Sequence, residues 1–261
     1  MARIKNDAFN FSGSMGGMTF YKDEFGPIVK RKSEGPTELT KGTQDGNMEM
    51  GGASMAAKAL RQALSSKQRE LEDHYFSGRL SGMMRKVVAL GEGSPGERRL
   101  DLRKNGDLLE SFEFINERPL VYSVGGIKEK PTYSKGRNKI SWISPALKSK
   151  TQISPPEGAT HFKFILGAGT VSNYEYNKTK KEYTPVKLQF KNLGDFVESA
   201  PIALKVKNIA PVDLNVQLTE ASPLPEEVAV VTVVGVSFMK KMNGEMLEMK
   251  DTGGMRVLEV S

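Results

Sequence analysis

The chain has 261 residues, a formal net charge of +7 and no cysteine. The lack of cysteine excludes disulfides, thiolate metal centres, iron–sulfur clusters and cysteine nucleophiles. Apolar residues make up 38% of the chain, which is enough for a folded protein. No apolar run reaches the roughly 18 residues of a membrane span, so we expect no membrane-spanning helix.

Two short β-prone segments follow a glycine-rich stretch near the N-terminus. Residues 18–22 and 28–32 are separated by a turn at Phe25-Gly26-Pro27, which predicts a hairpin or two edge strands. An isolated hairpin is only marginally stable, so we expect it to dock on its own chain or on a neighbouring subunit. The opening residues lack the apolar core of a secretory signal, and we therefore expect a cytoplasmic protein.

The middle of the N-terminal half has a helical pattern. Residues 33–52 are polar and glycine-rich, which indicates a linker or long loop. Apolar residues then recur at spacings of three and four in residues 53–64 and again in residues 71–88. Ser66 can cap the start of the second helix, and Gly91 suits its C-terminal end. These patterns predict two helices.

Strand signals dominate the rest of the chain. Polar and apolar residues alternate in residues 161–166, as in a half-buried strand, and Asn243-Gly244 is typical of a type I′ hairpin turn. We predict a three-stranded antiparallel meander at the C-terminus. The predicted strands are residues 100–102, 108–115, 120–124, 139–143, 161–166, 186–190, 202–206, 214–218, 228–241, 245–249 and 255–260.

The pattern as a whole predicts an α+β protein that is mostly β. Residues 1–117 are expected to form an N-terminal β-hairpin arm, a linker and a helical pair. Residues 118–261 are expected to form an antiparallel immunoglobulin-like β-sandwich, with a barrel as the alternative.

Residue patterns of known catalytic and metal sites are absent from the sequence. His74 and His161 are the only histidines, and Glu72 and Asp73 do not share a helix face with His74. No serine stands in a Gly-x-Ser-x-Gly elbow, and residues 13–17 lack the ending of a phosphate-binding loop. We therefore expect a protein that binds no metal or cofactor and is not an enzyme. The one catalytic alternative left open is an active site made of carboxylates alone.

Two sets of residues are candidates for intermolecular contacts. Thioethers fill irregular cores, which is the favoured interpretation of the many methionines, but they also form adaptable contact surfaces. The candidate assembly contacts are Phe20, Tyr21, Ile28, Val29, Met239, Met242, Met246 and Met249. The candidate polyanion contacts are Lys30, Arg31, Lys32, Lys178, Lys180 and Lys181, although such short basic groups are more typical of solvated strand ends and loop tips.

Several motifs resemble a family of uncharacterised Bacteroidota proteins that share a Gly-Gly-x-Thr-Phe-Tyr-Lys opening. The similar segments are residues 16–22, 29–32, 53–64, 112–114, 160–163 and 238–260. The resemblance spans most of the chain, departs from the family in residues 34–50, and implies no activity.

We therefore expect a non-enzymatic structural protein that self-assembles into an oligomer or filament. Its N-terminal arm and exposed strand edges would make the contacts, by addition of strands to a sheet edge. The alternative is a nucleic-acid or polyanion-binding module, which the net charge of +7 and the short basic groups suggest. A carbohydrate- or peptide-binding sandwich is the third hypothesis.

Overall fold

The computed structural model describes residues 2–3, 12–23, 26–32, 35, 38–219 and 223–261. The chain divides into two compact units, Met1–Lys41 and Gly42–Ser261. All the strand pairs of the described residues are antiparallel, and strands outnumber helices. The prediction of an α+β fold that is mostly β is confirmed at this level.

The N-terminal unit is a four-stranded sheet with the strand order β1-β4-β3-β2. Its strands are β1 (Ala2–Arg3), β2 (Gly13–Met15), β3 (Met18–Asp23) and β4 (Gly26–Arg31). The predicted hairpin is the β3–β4 pair, although Phe25 of its turn lies outside the described residues. Gly16 and Gly17 join β2 to β3 with φ angles of 58° and 74°, values that suit a type I′ turn and favour glycine.

The helices of the larger unit differ from the prediction at their boundaries. They are α1 (Lys41–Ala63), α2 (Ser65–Gln68), α3 (Phe76–Ala89), α4 (Leu120–Ser123) and α5 (Ser149–Gln152). The predicted loop at residues 33–52 was wrong from residue 41 onward, while residues 33–34 and 36–37 lie outside the described residues. Helix α1 forms despite its glycines because one of its faces is buried, and such packing outweighs propensity.

The second predicted helix is broken between α2 and α3. The Asp73 carboxylate fixes the break, because it accepts hydrogen bonds from Arg79 at 2.8 Å and from the Asn116 backbone N–H at 2.8 Å. Leu71 is buried at the same place. The chain therefore gains more from these contacts than from continuing the helix.

The strands of the larger unit form several antiparallel sheets. They are β5 (Thr132–Tyr133), β6 (Lys139–Ile143), β7 (Leu147–Lys148), β8 (His161–Ser172), β9 (Tyr174–Asn177), β10 (Glu182–Pro185), β11 (Gly194–Glu198), β12 (Ile202–Ala203), β13 (Asn208–Ile209), β14 (Asp213–Gln217), β15 (Val228–Met242), β16 (Glu245–Glu248) and β17 (Gly254–Val260). The largest sheet has the order β11-β8-β15-β16, with β12 also paired to β8 and β17 to β15. A smaller sheet has the order β14-β6-β5.

Five predicted strands are replaced by other structure or shortened. Of residues 100–102, only Leu100 pairs, in a single bridge to Tyr174. Of residues 120–124, the first four form α4, where the Leu120 N–H donates to the Glu113 carboxylate at 2.9 Å, and only Val124 pairs, in a single bridge to Ile153. Residues 108–115 begin within the 3₁₀ turn Gly106–Leu109, and residues 186–190 contain the 3₁₀ turn Leu188–Phe190. Only Ile202–Ala203 of residues 202–206 is a strand.

The last hairpin confirms its predicted turn but not the predicted meander. Asn243 and Gly244 have φ angles of 51° and 91°, as a type I′ turn requires. Strand β16 pairs with the end of β15, whereas β17 pairs with β15 over Val231–Val236 and not with β16. The third strand therefore returns to the same edge of β15 as β16.

Two hydrophobic cores lie on opposite faces of β8 and β15. Val231 and Val233 pack with α1 and α3, while Val230 and Val234 pack towards β6 and β14. Every residue from Val228 to Met239 is buried, which explains why this strand reads as an unbroken apolar run. The first core draws residues from both sides of the predicted boundary at residue 117.

Candidate functional site

The N-terminal sheet has one apolar face. Directly opposed residues of antiparallel strands share a face, as do residues two apart along a strand. Met15 lies opposite Met18, and Phe20 lies opposite Val29. We call Met15, Met18, Phe20 and Val29 the apolar face; Met15 is 65% exposed and Met18 48% exposed. Arg31, which lies opposite Met18, and Lys22, two residues from Phe20, border it on the same side of the sheet.

The other face of this sheet is more polar. Tyr21 lies opposite Ile28, and the Lys30 ammonium is 5.4 Å from the centroid of the Tyr21 ring. The Ser14 and Thr19 hydroxyl oxygens are 3.1 Å apart. The structure thus divides the four predicted N-terminal contacts between two faces and adds Met15 and Met18, which the sequence analysis did not select.

Ile28 is the only buried side chain among the described residues of the N-terminal unit. A sheet of four short strands needs an apolar layer against one of its faces to be stable. Ile28 lies opposite Tyr21, on the other face, and all four side chains of the apolar face are half-buried or exposed. The apolar face is therefore the part of this unit that most needs a covering surface.

The four methionines of the last hairpin do not form one surface. Met239 is buried, Met242 is 46% exposed, and Met246 and Met249 are half-buried. Met249 packs against the second hydrophobic core. Met239 and Met249 therefore fill the core, whereas Met242 is exposed near the tip of the hairpin together with Leu247, which is 47% exposed.

A cavity of about 370 Å³ lies at the base of this hairpin. It is open between the end of α2 and the turn that joins β16 to β17. Its lining residues are Arg69, Glu70, Leu71, Ser237, Glu248, Met249, Lys250, Asp251 and Gly253. None of its polar residues was predicted, although Ser237 stands out as one of two hydroxyl residues in an apolar strand.

An ion-pair cluster borders the cavity. The Lys67 ammonium is 2.7 Å from the Glu198 carboxylate and 3.0 Å from that of Glu70, and Lys163 binds Glu198 from the other side at 3.0 Å. Burial lowers the pKa of Lys67, but its hydrogen bonds to Glu198 and Glu70 raise it above the ordinary value. Burial raises the pKa of Glu198, but the hydrogen bonds from Lys67 and Lys163 outweigh burial and lower it. Both groups are therefore held in their charged forms.

The predicted polyanion contacts belong to different units. Lys30, Arg31 and Lys32 are exposed in the N-terminal unit. Lys178, Lys180 and Lys181 are exposed at the turn between β9 and β10, where the Lys178 ammonium is 3.0 Å from the Glu97 carboxylate. Lys180 and Lys181 form no ion pair with any described residue.

Among the described residues, no group of three or more His, Asp or Glu side chains is placed to hold a metal ion. No helix in the described part of the chain is long and apolar enough to cross a membrane.

Comparison with known proteins found no match to a family model, to a curated protein or to a solved structure. The resemblance to the Bacteroidota family therefore stays a prediction.

Proposed function

We propose that the chain is a cytoplasmic, non-enzymatic structural protein that self-associates through its N-terminal sheet. The observation that carries the proposal is the apolar face, whose Met15 and Met18 are 65% and 48% exposed in a unit with Ile28 as its only described buried side chain. The occupant we propose for this face is the same face of a second copy, because that contact would cover the exposed Met15 and Met18 side chains of both copies.

The expected strength of the contact follows from the exposed area. Burying a whole methionine side chain is worth about 2 kcal/mol, so covering the exposed parts of Met15 and Met18 on two copies contributes about 4–5 kcal/mol. Association costs at least about 4 kcal/mol in lost freedom. Phe20 and Val29 must supply the surplus, and the assembly is expected to be weak and dependent on concentration.

The edge of the same sheet offers a second contact. Among the described residues, β2 is an edge strand of this sheet, and an edge strand can accept a strand from another copy. Addition at this edge would extend the sheet and allow filaments as well as dimers. The last hairpin, which carries the other predicted assembly contacts, is less suited to edge pairing. Its strand β16 begins at Glu245 and ends at Glu248, and charged side chains on an edge strand oppose pairing.

Sedimentation velocity on two double variants tests the proposal. Met15→Lys with Met18→Lys places charge on the apolar face and is expected to leave a monomer at all concentrations. Ser14→Lys with Thr19→Lys adds the same charge to an opposed pair of the same hairpin, on the other face, and is expected to assemble like the unaltered chain. Equal loss of assembly in both variants would contradict the role of the apolar face.

The immunoglobulin-like arrangement of residues 118–261 is part of this proposal. Its support is the packing of the β14-β6-β5 sheet on the central sheet, where the Trp142 and Phe164 rings lie 5.6 Å apart between centroids. Two sheets that enclose one core are typical of a sandwich.

The alternative function is binding of nucleic acid or another polyanion. Lys180 and Lys181, exposed and without an ion pair among the described residues, favour it. Neutralising them together with Lys178 would then weaken binding to immobilised nucleic acid and make it less dependent on salt. No retention at low salt would dismiss this alternative.

A further inference from the structure

A buried hydroxyl without a partner lies in the wall of the cavity at the base of the last hairpin. Ser237 is 3% exposed, and its Oγ has no hydrogen-bond partner among the described residues. Leaving such a group unpaired costs about 1–3 kcal/mol. Thr232, the other hydroxyl residue of the same buried stretch, is 2.9 Å from the Tyr133 hydroxyl oxygen. Of these two hydroxyls, only that of Ser237 lacks a partner among the described residues, and Ser237 is one of the residues that line the cavity.

Charges of both signs surround the mouth of the cavity. Arg69 and Lys250 are exposed, and their side chains form no ion pair within the described part of the chain. The carboxylates of Glu70 and Glu248 lie 3.0 Å and 3.9 Å from the Lys67 ammonium, which keeps them near the cavity. The cavity is therefore lined by two basic side chains without an ion pair among the described residues and by two carboxylates held near Lys67.

Apolar side chains and a tight turn complete the wall. Leu71 is buried and Met249 is half-buried beside the charged residues. Gly253 lies so close to β15 that a Cβ at this position would clash with the Val236 carbonyl oxygen. The Thr252 hydroxyl donates a hydrogen bond to the Met249 carbonyl at 2.7 Å. The turn is therefore held in place, which lowers the cost of ordering it around a ligand.

We propose that this cavity binds a small zwitterion of the α-amino acid class with an apolar side chain. Arg69 and Lys250 bind the carboxylate, and Glu70 and Glu248 bind the ammonium group. The Ser237 hydroxyl gains the hydrogen bond it lacks, and the aliphatic part packs on Leu71. A volume of about 370 Å³ is at the small end of ligand pockets. The inference goes beyond self-association and does not depend on it.

Isothermal titration calorimetry on the full chain tests the proposal, with L-leucine as the probe. N-acetyl-L-leucine lacks the ammonium charge and L-leucinamide lacks the carboxylate, so each is expected to bind at least about tenfold more weakly, the equivalent of one lost interaction of 1.4 kcal/mol. Equal binding of all three, or no binding of L-leucine up to its solubility, would overturn the proposal. Undiminished binding of N-acetyl-L-leucine would also overturn it, since the site would then recognise only an anion.

Variants assign the binding to this cavity. Ser237→Ala is expected to weaken L-leucine binding about tenfold, because one hydrogen bond is lost. Lys250→Gln changes an exposed residue, is expected to fold normally and should weaken binding at least as much. Lys240→Gln removes the same charge from the same hairpin outside the lining and should leave binding unchanged. If Lys250→Gln binds L-leucine as tightly as the unaltered chain, the proposed site is wrong, whatever the folding of Ser237→Ala.

Discussion

Glu49 is a buried carboxylate that ties the first helix to the rest of the larger unit. The residue is 1% exposed. One carboxylate oxygen is 2.7 Å from the Arg85 guanidinium, and the other accepts a hydrogen bond from the Gly96 backbone N–H at 2.8 Å and lies 3.6 Å from Arg98. Replacing Glu49 with alanine removes all three contacts and leaves their donors behind.

The expected loss of stability is about 2–3 kcal/mol. The unpaired Gly96 N–H costs about 1–3 kcal/mol. The side chains of Arg85 and Arg98 are 31% and 29% exposed and can turn to water, so losing their ion pairs costs nearer to the roughly 1 kcal/mol of an exposed pair than to the 3–5 kcal/mol of a buried one. Alanine returns about 0.4 kcal/mol of helix propensity.

Urea denaturation followed by far-UV circular dichroism measures this loss. The matched control is Met50→Ala at the next position, because Met50 is 40% exposed and its replacement is expected to change the free energy of unfolding by less than about 0.5 kcal/mol. A Glu49→Ala variant as stable as the Met50→Ala control would refute the assignment of this segment to a packed helix.

Two further predictions concern neighbouring glycines and the ion-pair cluster. Gly51→Ala is expected to stabilise the protein by up to about 1 kcal/mol, because its added Cβ meets nothing within 4 Å and alanine favours the helix. Gly52→Ala is expected to destabilise it by about 1–2 kcal/mol, because its Cβ would lie 2.5 Å from the Tyr183 ring and overpacking outweighs propensity; thermal unfolding of both variants checks the opposite signs. The pKa of Glu198 lies below its ordinary value of 4.5 in the folded protein, so its stabilising effect is present above that pH and is lost as the pH falls through the folded pKa. Glu198→Gln should therefore be less stable by roughly 1–3 kcal/mol at pH 7 and should lose less stability on acidification, as urea titrations at several pH values would show.

Local patterns predicted the strands that carry their own signal. The alternation at residues 161–166 lies within β8, the predicted strand at residues 228–241 lies within β15, and Asn243-Gly244 forms the predicted turn. In each case the signal is in neighbouring residues: side-chain period, burial on both faces, or the positive φ that asparagine and glycine accept.

Contacts between distant segments decided the features that the sequence did not reveal. Helix α1 includes residues before 53 because some of them pack against residues far along the chain, such as Gly52 beside Tyr183 and Glu49 beside Gly96. Strand β17 pairs with β15 because the chain turns back beyond β16, a choice that no local pattern encodes.

The cavity could not be predicted for the same reason. Arg69 follows α2, Ser237 lies in β15, and Lys250 follows β16, so only the fold brings them together. A serine in an apolar strand was the single available sign, and Thr232 in the same strand shows that such a sign does not distinguish a paired hydroxyl from an unpaired one.

Light scattering on the unaltered chain across a concentration series tests self-association most directly. The monomer has a mass of 28.7 kDa. A molar mass that rises with concentration to 57.4 kDa, twice 28.7 kDa, or beyond is the predicted result. A mass that stays at 28.7 kDa at the highest concentration would contradict the proposal that a second copy covers the apolar face.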